Sequence, residues 1–163
     1  MSAIVGRILG PMAQPVRLAT PDDAADVARL LIAFRDWMGA SSPPDDRFHV
    51  NVAQLLADPE TEYLLAGDPP LGVCQLRYRP SVWRDAPDCC LEDLFIIDEA
   101  RGQGLGRTLV EAAFERARER GCRRMDLDVN EENGAAQALY ESLGFDSRAK
   151  LPSGRNLFMV RNL

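Results

Sequence analysis

A glycine-rich turn from Arg101 to Arg107 holds the residues best suited to binding an anion. Glycine stands at every second position of this turn, so successive backbone N–H groups carry no bulky neighbours and can converge on one point. A helix is expected to begin here, and its N-terminus adds positive potential. The two arginines add charge that could reach the same anion. The turn therefore predicts a phosphate site, with a glycine turn that binds no ligand as the alternative.

The spacing of the glycines excludes the two standard nucleotide motifs. A dinucleotide fingerprint, GxGxxG, would need a third glycine where Arg107 follows Gly102 and Gly104. A P-loop would need Gly-Lys-Ser/Thr after four intervening residues, which residues 101–107 do not supply. The spacing alone leaves the identity of the phosphate ligand open.

Hydrophobic periodicity predicts the elements that must hold this turn in place. Apolar residues at alternate positions predict strands, and apolar residues three and four positions apart predict helices. The predicted strands cover residues 16–19, 63–66, 72–78, 89–97, 125–129 and 156–160, and the predicted helices cover 27–38, 48–56, 105–120 and 135–143. This order predicts a mixed α/β (α+β) fold with one mostly antiparallel sheet of six to seven strands, flanked by about four helices.

Length and charge narrow the class of protein. A chain of 163 residues with 46% hydrophobic content fits one globular domain, which we expect over residues 15–163 after an N-terminal extension of residues 1–14. The net charge of −6 lacks the basic surface that nucleic-acid binding requires, so no nucleic-acid partner is expected.

Cysteine and histidine usage argues against a metal or disulfide scaffold. The chain has four cysteines, of which only the adjacent Cys89 and Cys90 are close in sequence, and His49 is its one histidine. The segment before residue 15 is too short and interrupted for a signal peptide or a membrane span. We therefore expect a cytoplasmic protein with no metal site and no membrane partner.

Two motifs in register resemble the GCN5-related N-acetyltransferase (GNAT) superfamily. The first follows a strand and reads Arg101-x-x-Gly104-x-Gly106. The second follows the next strand and reads Asn133-x-x-Ala136-x-x-x-Tyr140-x-x-x-Gly144-Phe145. Residues 16–24 are similar to the first strand and helix of that family, so the resemblance covers roughly residues 15 to 163. Residues 91–95 are similar in particular to the branch that acetylates polyamines and other small amines.

The resemblance implies acetyl-CoA as the acyl donor. The pyrophosphate would lie on the backbone amides of residues 103–107, and the pantetheine arm would pair with the preceding strand as an added strand does. The acetyl-CoA-binding residues that it implies are Leu94, Phe95, Ile96, Arg101, Gly102, Gln103, Gly104, Leu105, Gly106, Arg107, Asn133, Ala136 and Tyr140.

The resemblance also implies two catalytic residues. Glu92 would be the base, directly or through a water molecule, and Tyr140 would be the acid that protonates the departing thiolate. Because Glu92 and Asp93 are adjacent on a predicted strand, they are expected to point to opposite faces of the sheet, so only one can serve the site. A carboxylate paired with an arginine and a tyrosine of the core are the structural alternatives.

The activity implied is N-acetyl transfer to a primary amine by direct transfer in a ternary complex. The acidic composition and the Glu92–Asp93 pair favour a small amine: a polyamine, an aminoglycoside-like compound or an amino-acid derivative. One alternative is acetylation of a protein N-terminus or a lysine, and another is an acyl-CoA-binding module without turnover. A homodimer is expected.

Overall fold

The computed structural model describes residues 15–147 and 159–161 of the chain. The described part contains five β-strands and four α-helices. In chain order these are β1 (Val16–Leu18), α1 (Ala24–Trp37), α2 (Asp45–Leu56), β2 (Thr61–Ala66), β3 (Gly72–Arg79), β4 (Asp88–Ile96), α3 (Leu105–Glu119), β5 (Arg124–Asp126) and α4 (Gly134–Ser142). Short 3-10 turns cover Pro21–Asp23 and Asp98–Ala100.

The five strands form one mixed sheet in the order β1-β2-β3-β4-β5. Every neighbouring pair is antiparallel except β4 and β5, which are parallel because α3 carries the chain back across the sheet. The mostly antiparallel sheet and the four helices that the sequence predicts are thus confirmed. The predicted count of six to seven strands was too high for the described residues. Most of the strand predicted over residues 156–160 lies outside them.

The boundaries of most elements differ by one to three residues from those predicted, as helix α2 and strand β5 illustrate. Helix α2 begins at Asp45, three residues before the predicted start, because Asp45 and Asp46 in its first turn complement the helix dipole. Strand β5 ends at Asp126 instead of residue 129. Its partner β4 pairs with it only as far as Cys90, so no ladder supports a longer strand.

The sheet separates two apolar layers, as alternation along its strands requires. Helices α3 and α4 cover one face, where Leu76, Leu91, Leu109 and Tyr140 belong to one buried cluster. Helices α1 and α2 cover the other face, and the cluster there consists of Val27, Ala28, Leu30, Leu31, Val52, Tyr63, Leu65, Val73 and Phe95. The apolar stripe of α3 that the sequence predicts, at residues 105, 109, 113 and 117, is buried against the sheet. Among the described residues, no helix has the length and the apolar run needed to cross a membrane.

Candidate active site

Strand β4 has one edge that is fully paired and one that is mostly open. It pairs with β3 from Asp88 to Ile96, but with β5 only over its first three residues, so β4 and β5 separate after Cys90. The N–H of Ile97 donates to the carbonyl of Leu71 at 3.0 Å. By the alternation of an antiparallel ladder, Leu94 and Ile96 therefore direct their backbone groups to the open edge. An extended ligand could add to this edge as a strand would.

A β-bulge lies where the two strands separate. Gln75 pairs with Asp93 and Leu76 pairs with Leu91, so Glu92 is the extra residue of the bulge and has no partner in the ladder. The Glu92 carboxylate accepts hydrogen bonds from Gln75 Nε2 at 2.7 Å and from Arg77 Nε at 2.8 Å. Gln75 and Asp93 lie directly opposite each other and so share a face. The prediction that Glu92 and Asp93 point to opposite faces was therefore wrong, because it assumed a regular strand.

A buried tyrosine faces these carboxylates from β2. Tyr63 pairs with Gln75, which in turn pairs with Asp93, so the three side chains lie side by side on the α1–α2 face. The Tyr63 side chain is fully buried, and its hydroxyl has no hydrogen-bond partner among the described residues. Burial, with the charges of Asp93 and Glu92, raises the pKa of Tyr63. We refer to Tyr63, Gln75, Glu92 and Asp93 as the bulge cluster.

Asp93 differs from Glu92 in its surroundings. Its carboxylate takes no hydrogen bond from any side chain that the structure describes, although the residue is half-buried. Burial and the neighbouring charge of Glu92 raise the pKa of Asp93 above its ordinary value. A carboxylate in this setting is a better proton acceptor near neutral pH than an exposed one.

The glycine turn opens helix α3 without a side-chain cap. Gly102 and Gly104 have φ angles of +74° and +84°, in the region that favours glycine. Gly104 is the N-cap, and the first amide bonded back to it is that of Thr108, at 3.1 Å. The amides of residues 105–107 precede that bond and have no partner within the helix. A Cβ atom at either glycine would meet nothing within 4 Å, so the approach to these amides is open.

The third glycine of the turn serves helix packing. A Cβ at Gly106 would lie 3.2 Å from Leu139 Cδ2 of α4, a tighter contact than side chains normally make. The missing side chain lets α3 and α4 approach closely, which fixes the position of Tyr140 on α4. Sequence reasoning assigned Gly106 only to the anion site.

The polar side chains of the turn are engaged with the protein. Arg101 Nε donates to the carbonyl of Ile96 at 3.0 Å, its guanidinium pairs with Asp98, and it lies 5.0 Å from the ring centroid of Trp37. Arg107 donates to Ser142 Oγ at 2.6 Å. Gln103 Nε2 donates to the carbonyl of residue 99 at 3.1 Å. Each guanidinium keeps further N–H donors beyond these contacts, and its direct contact with an anion stays a prediction.

Tyr140 lies on α4, on the face opposite the bulge cluster. Asn133 caps that helix, since its side-chain oxygen accepts from the N–H of Ala136 at 3.1 Å. Tyr140 is 7% exposed and contacts the ring of Phe145 edge-on at 5.6 Å. Burial, with a smaller effect of the Asp93 charge, raises the pKa of Tyr140 to about 12. The structure shows no hydrogen bond between its hydroxyl and another described residue, so the neutral phenol can donate to a ligand.

Sequence reasoning missed Tyr63, Gln75 and Arg77. Their positions relative to the acid pair depend on the register of β2, β3 and β4, which no local pattern encodes. One signal was available: Gln75 is a polar residue within the apolar run of β3, and it is only 4% exposed. A buried amide needs a hydrogen-bond partner, here Glu92.

The acetyltransferase (GNAT) family model matches residues 27–145 of the chain. The chain belongs to the GNAT family. An aminoglycoside N(6')-acetyltransferase type 1 from Stenotrophomonas maltophilia is 29% identical over 145 residues, which are 85% of this chain and 90% of the relative. A thialysine N-epsilon-acetyltransferase from Bos taurus is 32% identical over 144 residues, which are 79% of this chain and 82% of the relative. A mycothiol acetyltransferase from Beutenbergia cavernae is 40% identical over 68 residues, so this chain spans 23% of that relative's length.

Solved structures share the fold. A crystal structure described as that of an acetyltransferase from Arthrobacter sp. FB24 is 34% identical, with a TM-score of 0.84 over 94% of this chain and 99% of that one. The aminoglycoside N-acetyltransferase AAC(6')-Iy, solved in complex with CoA, has a TM-score of 0.71 and 21% identity over 91% of this chain and 99% of that one. The chain is thus a GNAT acyltransferase, and enzymes of this family use acetyl-CoA. Within the ranges described, no three His, Cys, Asp or Glu side chains group as metal ligands would.

Proposed function

We propose that this GNAT enzyme transfers an acetyl group from acetyl-CoA to a small primary amine within a ternary complex. The observation that carries the proposal is the open edge of β4. The uncapped turn of α3 follows this strand, Tyr140 belongs to the buried cluster on one of its faces, and the bulge cluster lies on the other face. A phosphate-binding turn, a strand edge, an acid and a carboxylate are the groups that this reaction needs.

The open edge and the turn would hold acetyl-CoA together. We assign the pyrophosphate to the amides of residues 103–107, whose partners within the helix are missing. We assign the pantetheine arm to the backbone of Leu94 and Ile96, with Phe95 between them buried on the other face. Asn133 and Ala136, at the start of α4, would border the same arm.

The reaction requires the amine to lose protons and the sulfur to gain one. An alkylammonium has a pKa near 10.4, so forming the neutral amine at pH 7 costs about 4.6 kcal/mol. A carboxylate of the Glu92–Asp93 pair would take that proton, and Glu92 is the one that the resemblance favours. The amine nitrogen then bonds to the thioester carbon and loses its second proton to water, the carbon–sulfur bond breaks, and Tyr140 donates its proton to the sulfur. Water returns a proton to Tyr140 after the products leave.

A cationic acceptor fits the charges near the open edge. Glu92 forms an ion pair with Arg77, but Asp93 keeps an unpaired negative charge among the described residues. Such a charge attracts an ammonium group and disfavours an anionic acceptor. The curated relatives act on an aminoglycoside and on thialysine, as their names state, and both names denote amines. The homodimer and the cytoplasmic location stay predictions.

The test measures thiol release from acetyl-CoA in the presence of polyamines, aminoglycosides, amino acids and peptides. We expect release with one class of small amine, and Tyr140→Phe should lower kcat about 100-fold while the KM for acetyl-CoA changes little. Tyr78→Phe is the matched control, since Tyr78 is a buried tyrosine bonded to Glu62 on the far side of the core. Release with peptides alone would replace the small amine by a protein acceptor. No release with any amine, despite CoA binding, would contradict the proposed activity.

A further inference from the structure

We propose that Asp93 takes the proton from the acceptor amine, and that Glu92 and Tyr63 are positioning residues for it. This inference rests on the proposed function, and it changes the residue that sequence reasoning favoured. It follows from the register of three strands and from the hydrogen bonds that each carboxylate already makes.

Glu92 is already committed to the sheet. One of its carboxylate oxygens accepts from the buried amide of Gln75, and the other accepts from the guanidinium of Arg77. Arg77 is itself held at the other side by Asp58, 3.9 Å away. Binding a proton from an amine would weaken both hydrogen bonds of Glu92, since a neutral carboxyl is a poorer acceptor for the amide of Gln75 and the guanidinium of Arg77.

Asp93 has the free capacity that Glu92 lacks. No side chain of the described residues donates to it, and it belongs to the stretch of β4 that has no partner on the β5 side. Its charge acts on the phenol of Tyr63 and also on that of Tyr140, so its carboxylate lies within electrostatic reach of the proposed acid. A base and an acid that serve one reacting carbon must both lie near it, which favours Asp93.

The charged and titratable groups around Asp93 come from every neighbouring element. They are Tyr63 on β2, Cys74 and Arg77 on β3, Glu92 on β4, Tyr140 on α4, and Arg101 beyond the 3-10 turn, which lies over Phe95. Helix α1 presents the ring of Phe34 to this face, while its Arg35 is paired with Asp36 and Asp45. Helix α2 contributes apolar contacts, such as Val52. The charge of Glu92 still raises the pKa of Asp93, although Glu92 is paired with Arg77.

Tyr63 is poised to orient the base. A hydroxyl buried without a partner is unfavourable, and native structures rarely retain one without a reason. Here it lies two strands from Asp93, on the same face, with only Gln75 between them. The structure shows no direct bond between them, so we assign Tyr63 the role of donating to Asp93 through one water molecule when the acceptor is bound.

The proton balance is complete without any further reactant. The ammonium nitrogen gives a proton to an Asp93 oxygen, bonds to the thioester carbon, and loses a second proton to water as the carbon–sulfur bond breaks, while the sulfur takes the proton of Tyr140. Asp93 later releases its proton to water, and water restores Tyr140. The sum converts an ammonium ion and acetyl-CoA into an amide, free CoA thiol and one proton.

The experiment compares Asp93→Asn and Glu92→Gln with wild type by kcat/KM against pH, using the amine identified by thiol release. We expect Asp93→Asn to lose about 100–1,000-fold and to lose the acidic limb of the profile, with the KM for acetyl-CoA unchanged. Glu92→Gln should keep that limb and move it to lower pH, since a negative charge beside Asp93 is gone. Tyr63→Phe should lower kcat several-fold without moving the KM for acetyl-CoA. Glu115→Gln, on the exposed face of α3, is the control that should match wild type.

The results that would overturn the role of Asp93 differ from the result that would count against the proposed function. An intact acidic limb in Asp93→Asn, together with its loss in Glu92→Gln, would make Glu92 the base and overturn the inference. If Asp93→Asn does not fold, Asp93→Glu decides instead: it should retain an acidic limb with reduced kcat, and a profile identical to wild type would overturn the inference. Absence of turnover in wild type would count against the proposed function itself, before any variant is compared.

Discussion

The two faces of the sheet each bury a tyrosine beside a carboxylate, but only one of these pairs is satisfied. On the α3 face, the hydroxyl of Tyr78 donates to Glu62 at 2.9 Å, and Arg116 donates twice to the same carboxylate at 3.0 and 2.6 Å. On the α1–α2 face, Tyr63 has no partner and Asp93 accepts from no described side chain. Tyr78, Glu62 and Arg116 thus form a hydrogen-bonded network on the α3 face, which we call the closed network. Tyr63 and Asp93, whose side chains have no described hydrogen-bond partners, form what we call the open network on the α1–α2 face.

The difference is electrostatic as well as geometric. Burial raises the pKa of Glu62, but the hydrogen bonds from Arg116 and Tyr78 outweigh it, and its pKa lies below the ordinary value. For Asp93, burial and the charge of Glu92 both raise the pKa, and no cation among the described residues opposes them. A network that favours the charged form stabilises the fold, whereas one that disfavours it yields a proton acceptor. The hydrogen-bond partners of a buried carboxylate, rather than its residue type, therefore decide whether it stabilises the fold or is suited to accept a proton.

Breaking the closed network should have the largest effect on stability. Glu62→Gln removes the charge that Arg116 faces, so we expect the free energy of unfolding to fall by about 2 kcal/mol. Turnover per folded molecule should stay at the wild-type value, because Glu62 is bonded to Tyr78 and Arg116 and not to any group assigned to the reaction. Urea denaturation and an activity assay on the same preparation measure both quantities. Unchanged stability would show that the network on the α3 face contributes little.

Removing the satisfied hydroxyl should have a smaller effect of the same sign. Tyr78→Phe deletes one hydrogen bond to Glu62 but leaves Arg116 in place, so a loss of about 1 kcal/mol is expected. The ring still contacts the guanidinium of Arg120, 4.4 Å from its centroid. Thermal unfolding monitored by circular dichroism provides the check, and a loss as large as that of Glu62→Gln would mean that the hydroxyl carries the network.

Removing the unsatisfied hydroxyl should have the opposite sign. Tyr63→Phe deletes a buried group that has no described partner, so stability should stay equal or rise by up to about 1 kcal/mol. Its kcat should nevertheless fall, as proposed above. Opposite responses of Tyr63→Phe and Tyr78→Phe in one unfolding assay would sharpen the comparison between the faces, and equal losses would remove it.

The pH dependence of stability should show the smallest contrast. Glu62 has a lowered pKa in the folded state, so its contribution is present above its ordinary pKa near 4.5 and is lost as the pH falls. Asp93 has a raised pKa, so the folded state binds its proton more tightly and stability declines as the pH rises above 3.8. Glu62→Gln should therefore differ least from wild type in acid, and Asp93→Asn should gain on wild type as the pH rises. Parallel profiles for the two variants would contradict this assignment.

The turn proposed to bind acetyl-CoA could be predicted from the sequence more fully than the strands proposed to bind the acceptor. Residues 101–107 follow one another along the chain, so their glycines and the helix after them could be read locally, and α3 begins at Leu105 as predicted. The acceptor side depends on the bulge at Glu92, which exists only because β3 and β4 pair in a shifted register. Regular alternation predicted separate faces for Glu92 and Asp93, and no local signal reveals that Tyr63 and Gln75 stand beside them.

The most direct test of the comparison is turnover per folded molecule for Asp93→Asn and Glu62→Gln, measured together with their unfolding. The account expects Asp93→Asn to fold at least as stably as wild type and to lose about 100–1,000-fold in kcat/KM, while Glu62→Gln unfolds more easily and keeps full activity. Full activity in Asp93→Asn, or an equal loss of activity in both variants, would contradict the claim that the open network is the catalytic one.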